Sequence, residues 1–232
     1  MSFRAAGDHL AIDLPGGTAL FTTRHGGVSA GPYASLNLGV RTEDDPAAVA
    51  ANRERAAALA GAPLAAVHQV HGTTVVTADA EAVADADAQV TADGALAPLV
   101  LVADCVPVAL ISSEAVGIVH AGWRGLHGGI VATGVRALRD LGATEMAAAI
   151  GPSIGPCCYE VGDELREAFG TTDRTLDLPA IAAGQLAAAG VGAVHATGLC
   201  TACAQRDGEP LFFSHRRDDG ATGRQAGIAW RS

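Results

Sequence analysis

The chain has 232 residues, 49% of them hydrophobic and 4% aromatic, and 15 basic against 25 acidic side chains give a formal net charge of −10. That size suits one large domain, residues 1–232, with a core of Ala, Val and Leu. The acidic balance and the lack of a basic tract exclude a nucleic-acid groove, and no apolar run reaches the ~18 residues of a membrane span. Five cysteines, two of them adjacent, make a poor disulfide framework. The amino-terminal stretch lacks the apolar core of a signal peptide, so a reducing cytoplasm is the expectation, and the acidic balance leaves room for a single nucleotide or nucleoside as a small-molecule partner.

Thr18–Thr23 reads as a strand that runs into a glycine-rich loop, Arg24 to Tyr33. Glycine there allows close approach of backbone to a ligand, or simply a tight surface turn. Asn37 follows as a turn-former or a ligand contact. Asp45 to Gly61 has the marks of a helix: Asp45 caps it, Pro46 opens it, and Gly61 stops it. Val49, Ala56, Leu59 and Ala60 would form its apolar face, and Asn52, Arg53, Glu54 and Arg55 its polar one. Leu64–His71 and Thr73–Thr77 read as short strands, with His68 and His71 on opposite faces. Asp79–Asp93 is rich in Ala and Asp, a solvated acidic surface in which Ala86–Thr91 forms an edge strand.

The most informative stretch is Leu99 to Gly129. Apolar runs Leu99–Ala103 and Val106–Ile111 flank Asp104 and Cys105, and a third, Val116–Val119, stops at His120. Such runs are buried strands. A thiol and an imidazole therefore sit at the ends of core strands joined by a hairpin. A helix follows over Ile130–Leu141, whose amino end could meet an anion near Arg124. Met146–Ile150 reads as a strand, then come a helix ending near Phe169, a helix over Leu178–Ala189, a strand Val191–His195 and a last strand Leu211–Ser214. Adjacent Cys157 and Cys158 read as free buried thiols, and Cys200–Cys203 as a lone CxxC with no second pair to complete a structural zinc site. Arg216, Arg217 and Arg224 place further cations near the carboxy end.

Three readings remain open for Cys105 on spacing alone. It is a nucleophile activated by His120, a metal ligand beside His71 and His120, or a plain buried thiol. A two-histidine, one-cysteine set leaves the fourth position of zinc open, the arrangement of a catalytic site.

QVHG at 69–72, ADCVPV at 103–108, VHAGWRG at 119–125, GPSIGPCCYEV at 151–161, and FFSHRR with TGR between 212 and 224 resemble the YfiH family. The stretch 21–39 fits as well, so the likeness covers nearly the whole chain. The family is variously labelled laccase-domain protein, polyphenol oxidase-like, purine nucleoside phosphorylase and peptidoglycan editing factor. The resemblance implies a mixed α/β fold, a layered α-β-β-α sandwich similar to the catalytic domain of cytotoxic necrotising factor. It implies that His71, Cys105 and His120 hold zinc, with copper as the alternative ion. It also implies phosphorolysis of adenosine, inosine, guanosine and methylthioadenosine, and deamination of adenosine. Arg24, Asn37 and Arg124 become the candidate contacts to nucleoside and phosphate. A peptidoglycan editing hydrolase and a copper-dependent polyphenol oxidase are the competing expectations. A third, non-enzymatic reading closes the metal with a fourth ligand from Cys157, Cys158 or Cys200. A four-copper oxidase would need paired His-x-His motifs, and the chain's eight histidines form none. Two positions depart from the family pattern: His215 replaces a tyrosine, and Val40 to Glu43 replaces HVGD.

Overall fold

Alternation along the strands sets the layers. In the computed structural model, which describes residues 1–231, Val106, Val108 and Leu110 of the strand Val106–Ile111 face one way and Ala109 and Ile111 the other. All of them are buried, so this strand has a core on both faces. It belongs to the second of two six-stranded mixed sheets. The first sheet runs Arg4–Ala6, His9–Leu14, Gly17–Phe21, Gln225–Arg231, Ala97–Val102, Leu64–Ala65 in space. The second runs Ala193–Ala196, Ala147–Ile150, Val106–Ile111, Val116–Ala121, Ala88–Thr91, Val75–Thr77.

The inner faces of the two sheets meet through Ile12, Ala19, Phe21, Val100, Ala109, Ile111 and Ile118. Helix Pro46–Ala60 brings Ala56 and Ala60 against Leu20, Leu99 and Ile228 on the outer face of the first sheet. Helices Ile130–Asp140 and Leu178–Ala188 cover the second sheet with Val131, Val135, Leu138, Ala182 and Leu186. Each fully buried Leu, Ile or Val contributes about 1.5–3 kcal/mol, so three such layers hold the sheets in register. Two mixed sheets packed face to face, with helices on their outer faces, make the mixed α/β fold that the family resemblance implies. Among the described residues no helix is long and apolar enough to cross a membrane.

Several local expectations need correction. Helix Pro46–Ala60 has its Asp45 cap, whose side chain accepts from the Ala47 N–H, and its left-handed Gly61 stop. Leu59, however, is exposed, and Asn52 is fully buried. Asn52 Oδ1 accepts from the Val28 N–H, and its Nδ2 donates to Ser29 Oγ and to the carbonyls of Ser35 and Asn37. The helix therefore turns a polar residue inward to brace the glycine-rich loop. Ala88–Thr91 is an interior strand, because Val75–Thr77 pairs parallel to its outer side. Leu211–Ser214 is not a strand. The last strand is Gln225–Arg231, inserted between Gly17–Phe21 and Ala97–Val102. Within the stretch Leu64–His71 only Leu64–Ala65 is a strand; His68 makes an isolated parallel bridge to Asp85, and His71 sits at a left-handed φ of 59° in a bend. The opposite-face argument for His68 and His71 therefore lapses.

The runs Leu99–Ala103 and Val106–Ile111 lie in different sheets, and the chain crosses between them at Asp104. Asp104 takes φ 98°, a conformation that aspartate tolerates better than most residues. Its carboxylate accepts from Thr201 Oγ1 at 2.6 Å and from the Arg216 N–H at 2.7 Å, and its carbonyl accepts from the Ile154 N–H. Cys105 follows directly, so three other segments fix where its sulfur lies.

Candidate metal centre

Strand register explains why His120 faces the gap between the sheets. It shares a face with Val116 and Ile118, which point into the inter-sheet core. Directly across the ladder lies Asp87, one residue ahead of the strand Ala88–Thr91. The His120 N–H donates to the Asp87 carbonyl at 2.7 Å, and His120 Nδ1 meets Asp87 Oδ1 at 2.8 Å. The Asp87 carboxylate is fully buried and also accepts the backbone N–H groups of Val70, His71 and Gly72. One carboxylate thus orients the imidazole of His120 and shapes the bend that carries His71. Carboxylate–histidine pairs of this kind support metal-ligating histidines, leaving the other ring nitrogen free for the ion. The sequence reading placed Asp87 on a solvated acidic surface. The signal that would have found it is its place opposite His120.

His71, Cys105 and His120 converge, with their ligand atoms all within 4.8 Å of one another. Cys105 Sγ is 3.9 Å from His71 Nε2, and the two imidazoles meet edge to face at 4.8 Å between centroids. His120 is buried, Cys105 half-buried and His71 exposed, so the set is closed beneath and open above. Gly122 makes room for it: a Cβ there would stand 3.1 Å from both Cys105 Sγ and His71 Cδ2. Gly122→Ala is expected to push the ligands apart by a few tenths of an ångström and cut turnover up to about tenfold, less than the roughly hundredfold of a 1 Å misplacement. Measured metal affinity should fall with it while the circular dichroism spectrum stays unchanged.

Charge within the set is tightly linked. Burial pushes the Cys105 thiol up, but the His120 charge and hydrogen bonds from His120 and His71 outweigh it and bring the thiol down to about 6. Burial pushes His120 down, but the Cys105 thiolate and the Asp87 carboxylate raise it to about 9. Without a metal, Cys105 is therefore a thiolate at neutral pH, the form that ligates ions. Iodoacetamide labelling of the metal-free protein, followed by peptide mass spectrometry, should show the Cys105 rate rising with pH and levelling off above a midpoint of about 6. A midpoint near the ordinary thiol value of ~8.5 would contradict this.

The three residues form the floor of a cleft of about 730 Å³. Arg41, Arg53, Arg216 and Arg224 stand around it, and Asp104 is the one acidic residue of its lining. An acidic protein thus presents a locally cationic cavity, which concentrates anions. Val40, Val83 and Leu101 supply apolar walls, and Tyr159 and His215 complete the rim. Arg216 lies over the Tyr159 ring at 5.1 Å. Burial and the Cys105 charge hold the Tyr159 phenol above its usual range, so it remains a neutral hydrogen-bond donor. His215 and Val40 to Thr42, where the sequence departs from the family pattern, all line this cleft.

The other sequence candidates lie elsewhere. Asn37 is fully buried, its Nδ2 donating to Thr42 and Asp44 and its Oδ1 accepting from the Gly39 and Arg224 N–H groups. With its hydrogen bonds spent within the protein, it positions Arg224 instead of touching a ligand. Arg24 stacks on Phe213 and donates to the Ala34 carbonyl, away from the lining. Arg124 is exposed over the Trp123 ring, outside the lining but within electrostatic reach of Tyr159. Arg216 and Arg224, two of the cations that the sequence places near the carboxy end, line the cleft together with Arg41 and Arg53, for which the sequence carried no signal.

Known proteins resemble this chain over nearly its whole length. Residues 18–232 match the family model described as multi-copper polyphenol oxidoreductase laccase. A Streptomyces griseus protein named purine nucleoside phosphorylase ORF3 is 45% identical, with 90% of this chain and 92% of that one covered. The crystal structure of YlmD from Geobacillus stearothermophilus superposes with a TM-score of 0.88 at 35% identity, covering 98% of this chain and 97% of that one. That of Bacillus licheniformis YfiH does so with a TM-score of 0.85 at 30% identity and 99% coverage of both. The fold and these likenesses agree: the chain belongs to the laccase-like YfiH family.

Proposed function

We propose that this chain is a metal-dependent purine nucleoside phosphorylase of the cytoplasm. Its substrates are adenosine, inosine, guanosine and methylthioadenosine, and it also deaminates adenosine. The observation that carries this reading is the convergence of His71, Cys105 and His120 beneath a cleft ringed by four arginines. The relatives named purine nucleoside phosphorylase support it.

His71, Cys105 and His120 would hold the ion, and their mixed nitrogen and sulfur donors suit zinc, with copper as the alternative. When bound, the ion supplies Lewis-acid stabilisation of developing negative charge and an open position for a small ligand. Asp87 holds His120 in the tautomer that leaves Nε2 free, and Gly122 leaves space for the ligands. The arginines orient inorganic phosphate so that one of its oxygens displaces the purine at ribose C1′. The apolar walls take the base and exclude water from it. Tyr159 donates a hydrogen bond at the rim.

The donor set supports one ion here, not four. Among the described residues, groups of three or more metal-ligating side chains occur at His71–Cys105–His120 and at Cys157–Cys158–Cys200–Cys203. Neither is a histidine cluster of the kind a three-copper centre needs.

Arg41→Gln, an exposed change, should raise KM for phosphate about tenfold or more, the worth of one charged hydrogen bond, with metal content unchanged. Steady-state kinetics at varied phosphate check this. A panel of nucleosides with products separated by chromatography tests the substrate class. Free bases appearing only with phosphate support phosphorolysis, and inosine from adenosine supports deamination. A protein inert toward all four nucleosides but active on muropeptide precursors would replace this reading with the editing hydrolase.

A further inference from the structure

Four of the five cysteines meet at a place the nucleoside reading does not use. Cys157 and Cys158 lie on the turn after strand Ala147–Ile150, and Cys200 and Cys203 on the turn after strand Ala193–Ala196. These two strands pair in parallel, which sets the turns side by side. A bridge between Ser153 and Cys200 continues the ladder, and the Thr201 N–H donates to the Ser153 carbonyl.

All four sulfurs lie within 4.8 Å of one another, and those of Cys157 and Cys203 are 3.7 Å apart. A tetrahedral ion with zinc–sulfur bonds of about 2.3 Å has sulfur–sulfur edges of about 3.8 Å. The observed separation already matches such an edge and is far from the ~2.05 Å of a disulfide. Cys200 is buried, with the Gly155 N–H donating to its sulfur at 3.3 Å, an interaction that favours the thiolate. Cys157 and Cys203 are exposed, so an ion can enter from solvent. The CxxC and the adjacent pair, each incomplete in the sequence, complete one another in space.

We propose that Cys157, Cys158, Cys200 and Cys203 form a second, structural metal site that takes one soft divalent ion, zinc foremost, through four thiolates. Binding releases the thiol protons to solvent and forms four metal–sulfur bonds, with no change of oxidation state. The site's place in the fold gives it a task. Thr201 sits between two of the ligands, and its hydroxyl holds the Asp104 carboxylate at 2.6 Å, one residue before Cys105. The ion would clamp the turn that fixes the crossing between the sheets.

The test is metal analysis and zinc X-ray absorption on the full chain, purified under reducing conditions with zinc supplied. Wild type should hold about two zinc ions per chain. Cys105→Ala should keep about one, in an all-sulfur shell at about 2.3 Å. The double variant Cys157→Ser, Cys203→Ser changes exposed positions only; it should also keep about one, in a mixed nitrogen and sulfur shell, with its circular dichroism spectrum retained. This pattern separates the two sites whatever the enzyme's substrate proves to be. A Cys105→Ala protein that is folded and free of zinc, or a Cys157–Cys203 disulfide found by mass spectrometry in the reduced preparation, would overturn the proposal.

Discussion

Asp87→Ala is expected to be the most damaging single change remote from bound substrate. It removes the carboxylate that His120 Nδ1 and the backbone N–H groups of Val70, His71 and Gly72 all share. Breaking a buried charge pair from one side costs about 3–5 kcal/mol, and loss of a carboxylate supporting a ligating histidine costs a further ten- to a hundredfold in metal affinity or activity. Urea unfolding and metal titration check the two effects separately. Asp87→Asn keeps the shape but turns a donor toward His120 Nδ1 or toward the bend, so it should retain more stability than Asp87→Ala while still losing affinity. Burial alone would raise the Asp87 carboxyl, but the His120 and backbone hydrogen bonds outweigh it and leave it below the usual range. Its contribution is therefore complete above the ordinary carboxylate range of ~4 and is lost as pH falls through its depressed value. An Asp87→Ala protein with unchanged stability near neutral pH would contradict this role.

Cys105→Ala is the second large effect, and it is a functional one. The side chain is half-buried, so the fold should tolerate the change, and the metal set falls from three ligands to two histidines. Lewis-acid stabilisation is worth several kcal/mol, so its loss should reduce kcat by about a thousandfold or more. Isothermal titration with zinc should show weakened binding at this centre in parallel. His71→Ala should act in the same direction. Because His71 is exposed and follows the bend rather than the core, its removal should leave urea stability nearly untouched.

The elements that were legible in the sequence are those with strong local chemistry. The capped helix from Pro46 and the apolar runs around Cys105 and His120 carry their own signals, in a cap, a stop and an unbroken burial pattern. The strand Gln225–Arg231 carries little: Ala226, Gly227 and Ala229 are weak strand formers. Gly227 is required there by packing, since a Cβ would come within 2.8 Å of Pro107. Asp87 was hidden for a different reason. It stands among several aspartates that face water, and only the ladder to His120 separates it from them. The four-cysteine cluster joins residues as far as 46 positions apart, and a parallel strand pairing creates it. Non-local pairing of that kind leaves no trace in residue spacing. The same holds for the cleft, where Arg41, Arg53, Arg216 and Arg224 come from distant segments.

The central claim is that the ion held by His71, Cys105 and His120 makes this cleft a phosphorolytic site. The most direct test is to incubate zinc-loaded protein with adenosine, with and without inorganic phosphate, and to follow the products by chromatography beside Cys105→Ala of the same purity. The account predicts adenine and ribose 1-phosphate from the wild type only when phosphate is present, and about a thousandfold less from the variant. Adenine released at the wild-type rate by Cys105→Ala, or no product from the zinc-loaded wild type, would contradict it.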